Sequence, residues 1–361
     1  MTKTMIRLAA LAAFIFVNIF IPRMAWATCT VSNPYSGTTV LRGSYISAGD
    51  DMPVGTAIFR QLVPGYANVN YTCTGSNPVL TVSVPGGTLA PGSADTFLSG
   101  IAGVGIKFYA GTNESAAVLT PTSSYTMALP AASGTLSTAT LSFFLTAYKI
   151  GPITPGQAGA VYFPPIKMDL TDSDSSTPVR AAYTNFISGG FVVNKPSCTT
   201  PDFTFNLGNS FPPATNNNSG WVSTPVTLTS CSAFNGNSSD FQSYQIVKQG
   251  SSYYGSISQS GTFAKNTVTM TLNPQIPPFD ASTGLLANQT GSGYATGVAV
   301  QIATQSGSTY TPINLDNNIV FNPALGTSNV SFPLAARMVR TSNTVTAGAV
   351  STSITYTITY Q

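Results

Sequence analysis

The stretch from Val350 to Tyr360 limits the possible folds most. Its even positions, Val350, Ile354, Tyr356, Ile358 and Tyr360, are apolar or aromatic, with Thr352 as a β-branched filler, and Ser351, Ser353, Thr355, Thr357 and Thr359 alternate with them. A period of two over this length is that of a strand with one buried face, because successive side chains of a strand point to opposite sides. Thr, Ile and Tyr also suit a pleated, half-buried surface. No turn or charge follows Tyr360 before Gln361, so the outer edge of this strand is expected to have no downstream partner. An open edge beside an apolar face takes an added strand.

The rest of the chain repeats this character in short runs. With 43% hydrophobic residues in 361, it is too apolar for disorder and long enough for two domains. Strands are expected over Thr56 to Leu62, Ala67 to Thr74, Val79 to Val84, Gly103 to Tyr109, Tyr125 to Leu129, Thr140 to Ile150 and Phe186 to Val193. Turn-forming pairs separate them, among them Pro64-Gly65, Pro85-Gly86-Gly87, Pro91-Gly92, Gly151-Pro152 and Pro155-Gly156. Helical periodicity is almost absent, so the expected class is all-β, built as sandwiches or barrels.

Residues 1–27 carry Lys3 and Arg7, then an apolar run from Leu8 to Ile21, then Ala25-Trp26-Ala27. A basic head, an apolar core and small residues at a cleavage point describe a secretory signal peptide, cut before Thr28. The run is shorter than the roughly twenty residues a membrane span needs. Lys3, Arg7 and Arg23 leave with it, so the fourteen basic residues fall to eleven, equal to the eleven acidic ones. A formally neutral mature chain has no basic field for nucleic acid or anionic lipid.

Several motifs toward the end form an ordered set: GYATGVAVQI (Gly293 to Ile302) followed by INL, SFPLAARMVR (Ser331 to Arg340), TAGAV before the alternating strand, Gly348 fourteen residues from the end, penultimate Tyr360, and the pair Cys198/Cys231. On these residues, roughly Cys198 to Gln361 resembles a pilin domain of chaperone–usher fimbriae. The resemblance implies an immunoglobulin-like sandwich that lacks its last strand and receives it from a periplasmic pilus chaperone, then from an adjacent pilus subunit at the outer-membrane usher. It places the pairing site beside Gly348, Ile354, Tyr356, Ile358 and Tyr360, with the carboxylate of Gln361 anchored in the chaperone cleft. More loosely, DMPVGTAIF (Asp51 to Phe59), NYTC ending at Cys73, IAGVGIKF (Ile101 to Phe108) and LSFFLTAYKIGPITPG (Leu141 to Gly156) resemble the receptor-binding domain of two-domain fimbrial tip adhesins. The expected layout is two tandem immunoglobulin-like sandwiches: signal peptide 1–27, receptor-binding domain 28–188, linker 189–197 around Gly189-Gly190 and Pro196, and fimbrial domain 198–361.

Four cysteines allow three pairings. The pairs Cys29/Cys73 and Cys198/Cys231 each close one loop inside one expected domain, and each would stabilise by roughly 4 kcal/mol on the chain-entropy account. The chain has no CxxC and no histidine, so zinc is not indicated. A pilus shaft subunit of this type carries a donor strand ahead of its first cysteine, whereas here Thr28 alone separates the expected cut from Cys29. The expectation is a subunit that accepts a strand and donates none, at the fimbrial tip.

Catalysis is poorly supplied, with no histidine and Glu114 the one glutamate. The pairs Asp50/Asp51 and Asp172/Asp174 read first as turn-forming and solvated residues; a loose calcium site at the second and a glycosidase with an Asp pair are the catalytic or metal-binding alternatives. No catalytic residue, metal or cofactor is assigned. Binding of a host-surface glycan or protein receptor is preferred, with Thr28, Tyr35, Asp50, Asp51, Tyr66, Asn68, Tyr125, Tyr148 and Lys149 as candidate contacts on the loops and aromatic positions of a rigid scaffold. Apolar loop tips at Leu62-Val63-Pro64 or Pro164-Pro165-Ile166 are a second possibility. The competing readings are a structural minor pilin or tip cap without a receptor, and a secreted β-sandwich enzyme.

Overall fold

The computed structural model describes residues 28–75, 77–172, 177–209, 217–237, 242–244, 247–249, 252–254, 257–258 and 263–361. The expected signal peptide at 1–27 and Asp174 of the expected acidic pair lie outside them. The described residues form strands, loops and two short 3-10 turns, arranged around two hydrophobic cores. No helix among them is long and apolar enough to cross a membrane.

The first core is built from strands β1 (Cys29–Ser32), β2 (Tyr35–Ser47), β3 (Ala57–Val63), β4 (Val69–Cys73), β5 (Pro78–Ser83), β6 (Val104–Ala110), β7 (Phe143–Lys149), β8 (Ile166–Asp172) and β9 (Val179–Asn194). One sheet runs β3-β7-β6, and another runs β9-β8-β5, with β2 joining β9 in parallel. Alternation decides which face is inside. In β8, Ile166, Met168, Leu170 and Asp172 are buried while Lys167, Asp169 and Thr171 are half-buried, the period expected of a strand with one wet face. β7 reads FFLTAYK and is buried along nearly its whole length, with β3 and β6 pairing its two edges. The stacked rings of Phe59 and Phe191, 4.6 Å apart, join the sheets through their cores.

Two expectations change here. β2 and β8 were not among the expected strands: the small and polar residues of β2 blur its period, whereas β8, IKMDLTD, alternates clearly and was passed over. The expected linker positions Gly189 and Gly190 lie within β9, which continues to Asn194. A Cβ on Gly190 would sit 1.9 Å from the carbonyl oxygen of Ala158. The glycine there serves close backbone approach, not linker freedom.

The second core gathers β10 (Val226–Leu228), β11 (Val268–Pro274), β12 (Leu285–Ala287), β13 (Val298–Ser306), β14 (Ile319–Phe321), β15 (Val330–Phe332), β16 (Leu334–Arg340) and β17 (Ile354–Tyr360). β13 lies between β16 and β12, β10 pairs β15, and β11 lies between β14 and β17. Cys29 is bonded to Cys73 and Cys198 to Cys231, each bridge lying at the start of its unit.

Candidate functional site

The alternating strand at the end of the second unit is β17, and it pairs with β11 alone among the described strands, from Val268↔Tyr360 to Pro274↔Ile354. Its apolar residues Ile354, Tyr356, Ile358 and Tyr360 are only half-buried, although the same positions of β11, such as Met270 and Leu272, are closed over. Opposite β17 runs the extended segment 201–208, in which Phe203, Phe205 and Leu207 turn to the core and Thr204 and Asn206 to solvent. That segment carries no strand ladder. A groove of about 1110 Å³ opens between the two walls, floored by Leu286, Val300, Ile302 and Met338.

An apolar groove with an extended wall on one side and an unpaired strand edge on the other is shaped for one more strand. Main-chain groups of that strand would pair with β17, and alternate side chains would enter the groove. The walls are held at one end by the Tyr356 hydroxyl, which donates to the carbonyl of Pro201 at 2.6 Å, and by its ring against Phe203 at 5.6 Å. Burial raises the pKa of Tyr356 and of Tyr360. At the other end Gly348 packs under β13's approach, where an added Cβ would meet Ala295 N and Tyr294 C at 2.5 Å. Gln361 extends the ladder, its N–H donating to Thr267 at 2.8 Å and its carbonyl accepting from Thr267 at 2.7 Å.

The candidate receptor contacts do not gather into one site. Thr28 is exposed and donates its N–H to Thr74 Oγ1 at 2.8 Å. Tyr35 is buried, edge-on to the ring of Tyr66, and desolvation pushes its hydroxyl up to about 12. Asn68 accepts from the N–H of Thr138 at 3.0 Å. Tyr125 is half-buried on a strand edge beside Val82, and Tyr148 shares a hydroxyl hydrogen bond of 2.8 Å with Tyr109. Lys149 is 2% exposed and donates to the carbonyls of Gly49, Asp50 and Met52. Burial thus takes Tyr35 and Lys149 out of reach of a receptor. Asp50 pairs with Lys195, whose hydrogen bond is the main reason its pKa is lowered, and Asp51 accepts from the N–H of Tyr360 at 2.9 Å; both lie where the two units meet. The apolar loop tips are corrected as well: Val63, Pro164 and Ile166 are buried, Val63 and Ile166 because strand alternation turns them inward. Val161 and Tyr162, 88% and 49% exposed, are the apolar side chains that this region presents.

The wall 201–208 and the floor were missed from sequence. DFTFNLG alternates as clearly as β17 over a shorter run, and that was the available signal. Of the floor residues, Val300, Ile302 and Met338 sit in short runs, VAVQI and LAARMV, in which a buried Gln301 and a half-buried Arg337 interrupt the apolar pattern.

Residues 259–361 match the sequence model of the family described as Fimbrial protein. No curated protein sequence matches the chain. Among solved structures, the chain is similar to the receptor-binding domain of the plasmid-born adhesin MrkD1P of Klebsiella pneumoniae, at 19% identity over 48% of this chain and 98% of that one, with a TM-score of 0.34. It is similar over more of its length to the CupB6 tip adhesin of Pseudomonas aeruginosa, at 12% identity over 92% and 93%, with a TM-score of 0.33. A chaperone–tip adhesion subunit pre-assembly complex of Csu pili from Acinetobacter baumannii aligns at 13% identity over 92% and 100%, with a TM-score of 0.27. The edge strand and the floor of the groove lie within the residues that match this family model.

Proposed function

We propose that this chain is the adhesive tip subunit of a chaperone–usher fimbria. Its second domain, 198–361, accepts a β-strand, first from a periplasmic pilus chaperone and then from the adjacent pilus subunit. Its first domain, 28–188, binds a host-surface glycan or protein receptor, with the chain carried through the periplasm and past the outer-membrane usher to the cell surface. The observation that carries the reading is the groove itself: about 1110 Å³ of space over an apolar floor, beside a strand that has no outer strand partner among the described residues, with that strand and the floor in residues that match a fimbrial family. A preceding unit with its own closed core, including Phe59, Phe108 and Phe143, supports a separate binding module.

The groove half is tested by Val300→Asp, which sets a charge in the floor. Burying an unpaired carboxylate costs several kcal/mol, so co-purification of the full chain with its chaperone should fall at least about tenfold. An unchanged yield counts against the acceptor role. The receptor half is tested by applying the full-length chaperone complex to a glycan array and to immobilised matrix proteins; no signal on either leaves a cap without a receptor.

A further inference from the structure

We infer that Asp51, on the first domain, is a stop on the open edge of β17 that fixes how far an added strand can pair. The inference rests on the strand-acceptor reading above. Backbone groups of a strand point alternately to its two neighbours. Gln361 exchanges both hydrogen bonds with Thr267, and Thr359 faces Thr269 across the same ladder. The N–H and C=O of Tyr360 therefore point away from β11, to the open edge.

Both are already covered there. The Tyr360 N–H meets Asp51 Oδ2 at 2.9 Å, where the carbonyl of an added strand would sit. Gly49 lies against the Tyr360 carbonyl so closely that a Cβ would come within 2.0 Å of its oxygen. By the same alternation Ile354, Tyr356 and Ile358 turn their N–H and C=O to this edge, and among the described residues these groups have no partner. The groove follows suit: its lining runs from Gly348 to Tyr356 and stops short of Ile358 and Tyr360.

The stop is held firmly. The buried ammonium of Lys149 gathers the carbonyls of Gly49, Asp50 and Met52, and Asp50 is paired with Lys195 between the two units. Lys149 is a positioning residue for Asp51. An added strand therefore pairs along β17 as far as Ile358, and the last rung belongs to the first domain.

The test uses the full-length protein refolded with synthetic peptides of alternating Val and Thr, lengthened two residues at a time toward Tyr360 from about seven to about thirteen residues. Amide hydrogen exchange and the melting midpoint are read. In the wild type without peptide, the Tyr360 amide should exchange at least about tenfold more slowly than that of Ile358. Peptide should then protect Ile354, Tyr356 and Ile358, and the midpoint should stop rising once the peptide reaches Ile358. In Asp51→Ala the Tyr360 amide should lose its peptide-free protection and the midpoint should rise for one further two-residue step. Asp51→Asn keeps an acceptor oxygen and should follow the wild type. Equal exchange at Tyr360 and Ile358 in the peptide-free wild type overturns the stop without recourse to a variant. A midpoint that stops rising at the same peptide length in wild type and Asp51→Ala overturns it while leaving the acceptor reading intact. If no peptide protects Ile354 to Ile358, the acceptor reading fails and the stop falls with it.

Discussion

Glu114 shows how a lone glutamate in a nearly charge-free chain is used. Its carboxylate takes Arg60 Nε at 2.7 Å and the Thr146 hydroxyl at 2.6 Å, on the outer face of the β3-β7-β6 sheet. Burial raises its pKa, but the hydrogen bonds from Arg60 and Thr146 outweigh that and hold it below the usual 4.5. A folded pKa below the unfolded one gives stability that is present above the unfolded value and lost as pH falls through the folded one. Glu114→Gln should therefore cost about 1 kcal/mol at neutral pH, and the gap from wild type should close below about pH 4. Thermal melts of both proteins across pH 3 to 7 check this; a gap independent of pH would remove the carboxylate from the account. The residue was legible in the sequence as a single acid, but it sits in a turn and its partners come from two strands, β3 and β7, which no local pattern reveals.

At the scale of elements, β17 and the segment before it make the groove, and Gly348 fixes where that wall begins. The glycine packs between the backbone of Tyr294 and Ala295, with Ala349 N–H donating to Gly293 at 2.8 Å and Ala349 accepting from Ala295 at 2.9 Å. Gly348→Ala has no flexible side chain to push aside, so the backbone must shift, at a cost of about 1–3 kcal/mol. Urea denaturation should show a lower midpoint with an unchanged slope, and peptide affinity should fall with it because the wall moves. β17 itself was readable because an amphipathic strand writes its period directly into the sequence. β13 and β7 were readable only as apolar runs, since a strand covered on both faces has no polar side to mark its register.

For the whole molecule, the important contacts cross between the units. Ser47 donates its N–H to Gly236 at 2.8 Å and its hydroxyl to Ala233 at 2.9 Å. Asn266, 1% exposed, donates from one amide nitrogen to the carbonyls of Ser47 at 2.9 Å and Gln361 at 3.2 Å, and accepts from Gly236 at 2.9 Å. One side chain thus bonds the end of β2, the strand edge of the groove and the second core. Asn266→Ala removes the acceptor of the Gly236 N–H and the side-chain donor to the Ser47 carbonyl, while Gln361 keeps Thr267, and should cost about 2–3 kcal/mol. Calorimetry should show one transition splitting toward two as the units uncouple; a single transition, merely shifted, would place the coupling elsewhere.

The sequence by itself determined the all-β class and the alternating, half-buried strand from Ile354 to Tyr360, because alternation and turn chemistry are local properties that each segment carries alone. Only the tertiary structure decided the rest. It put Lys149 inside, turned Asp50 and Asp51 from candidate receptor contacts into a junction, and set Phe203 to Leu207 opposite β17. Each of these depends on residues about a hundred or more positions apart being brought within hydrogen-bond or van der Waals reach, and closure over such distances leaves no mark in the local pattern.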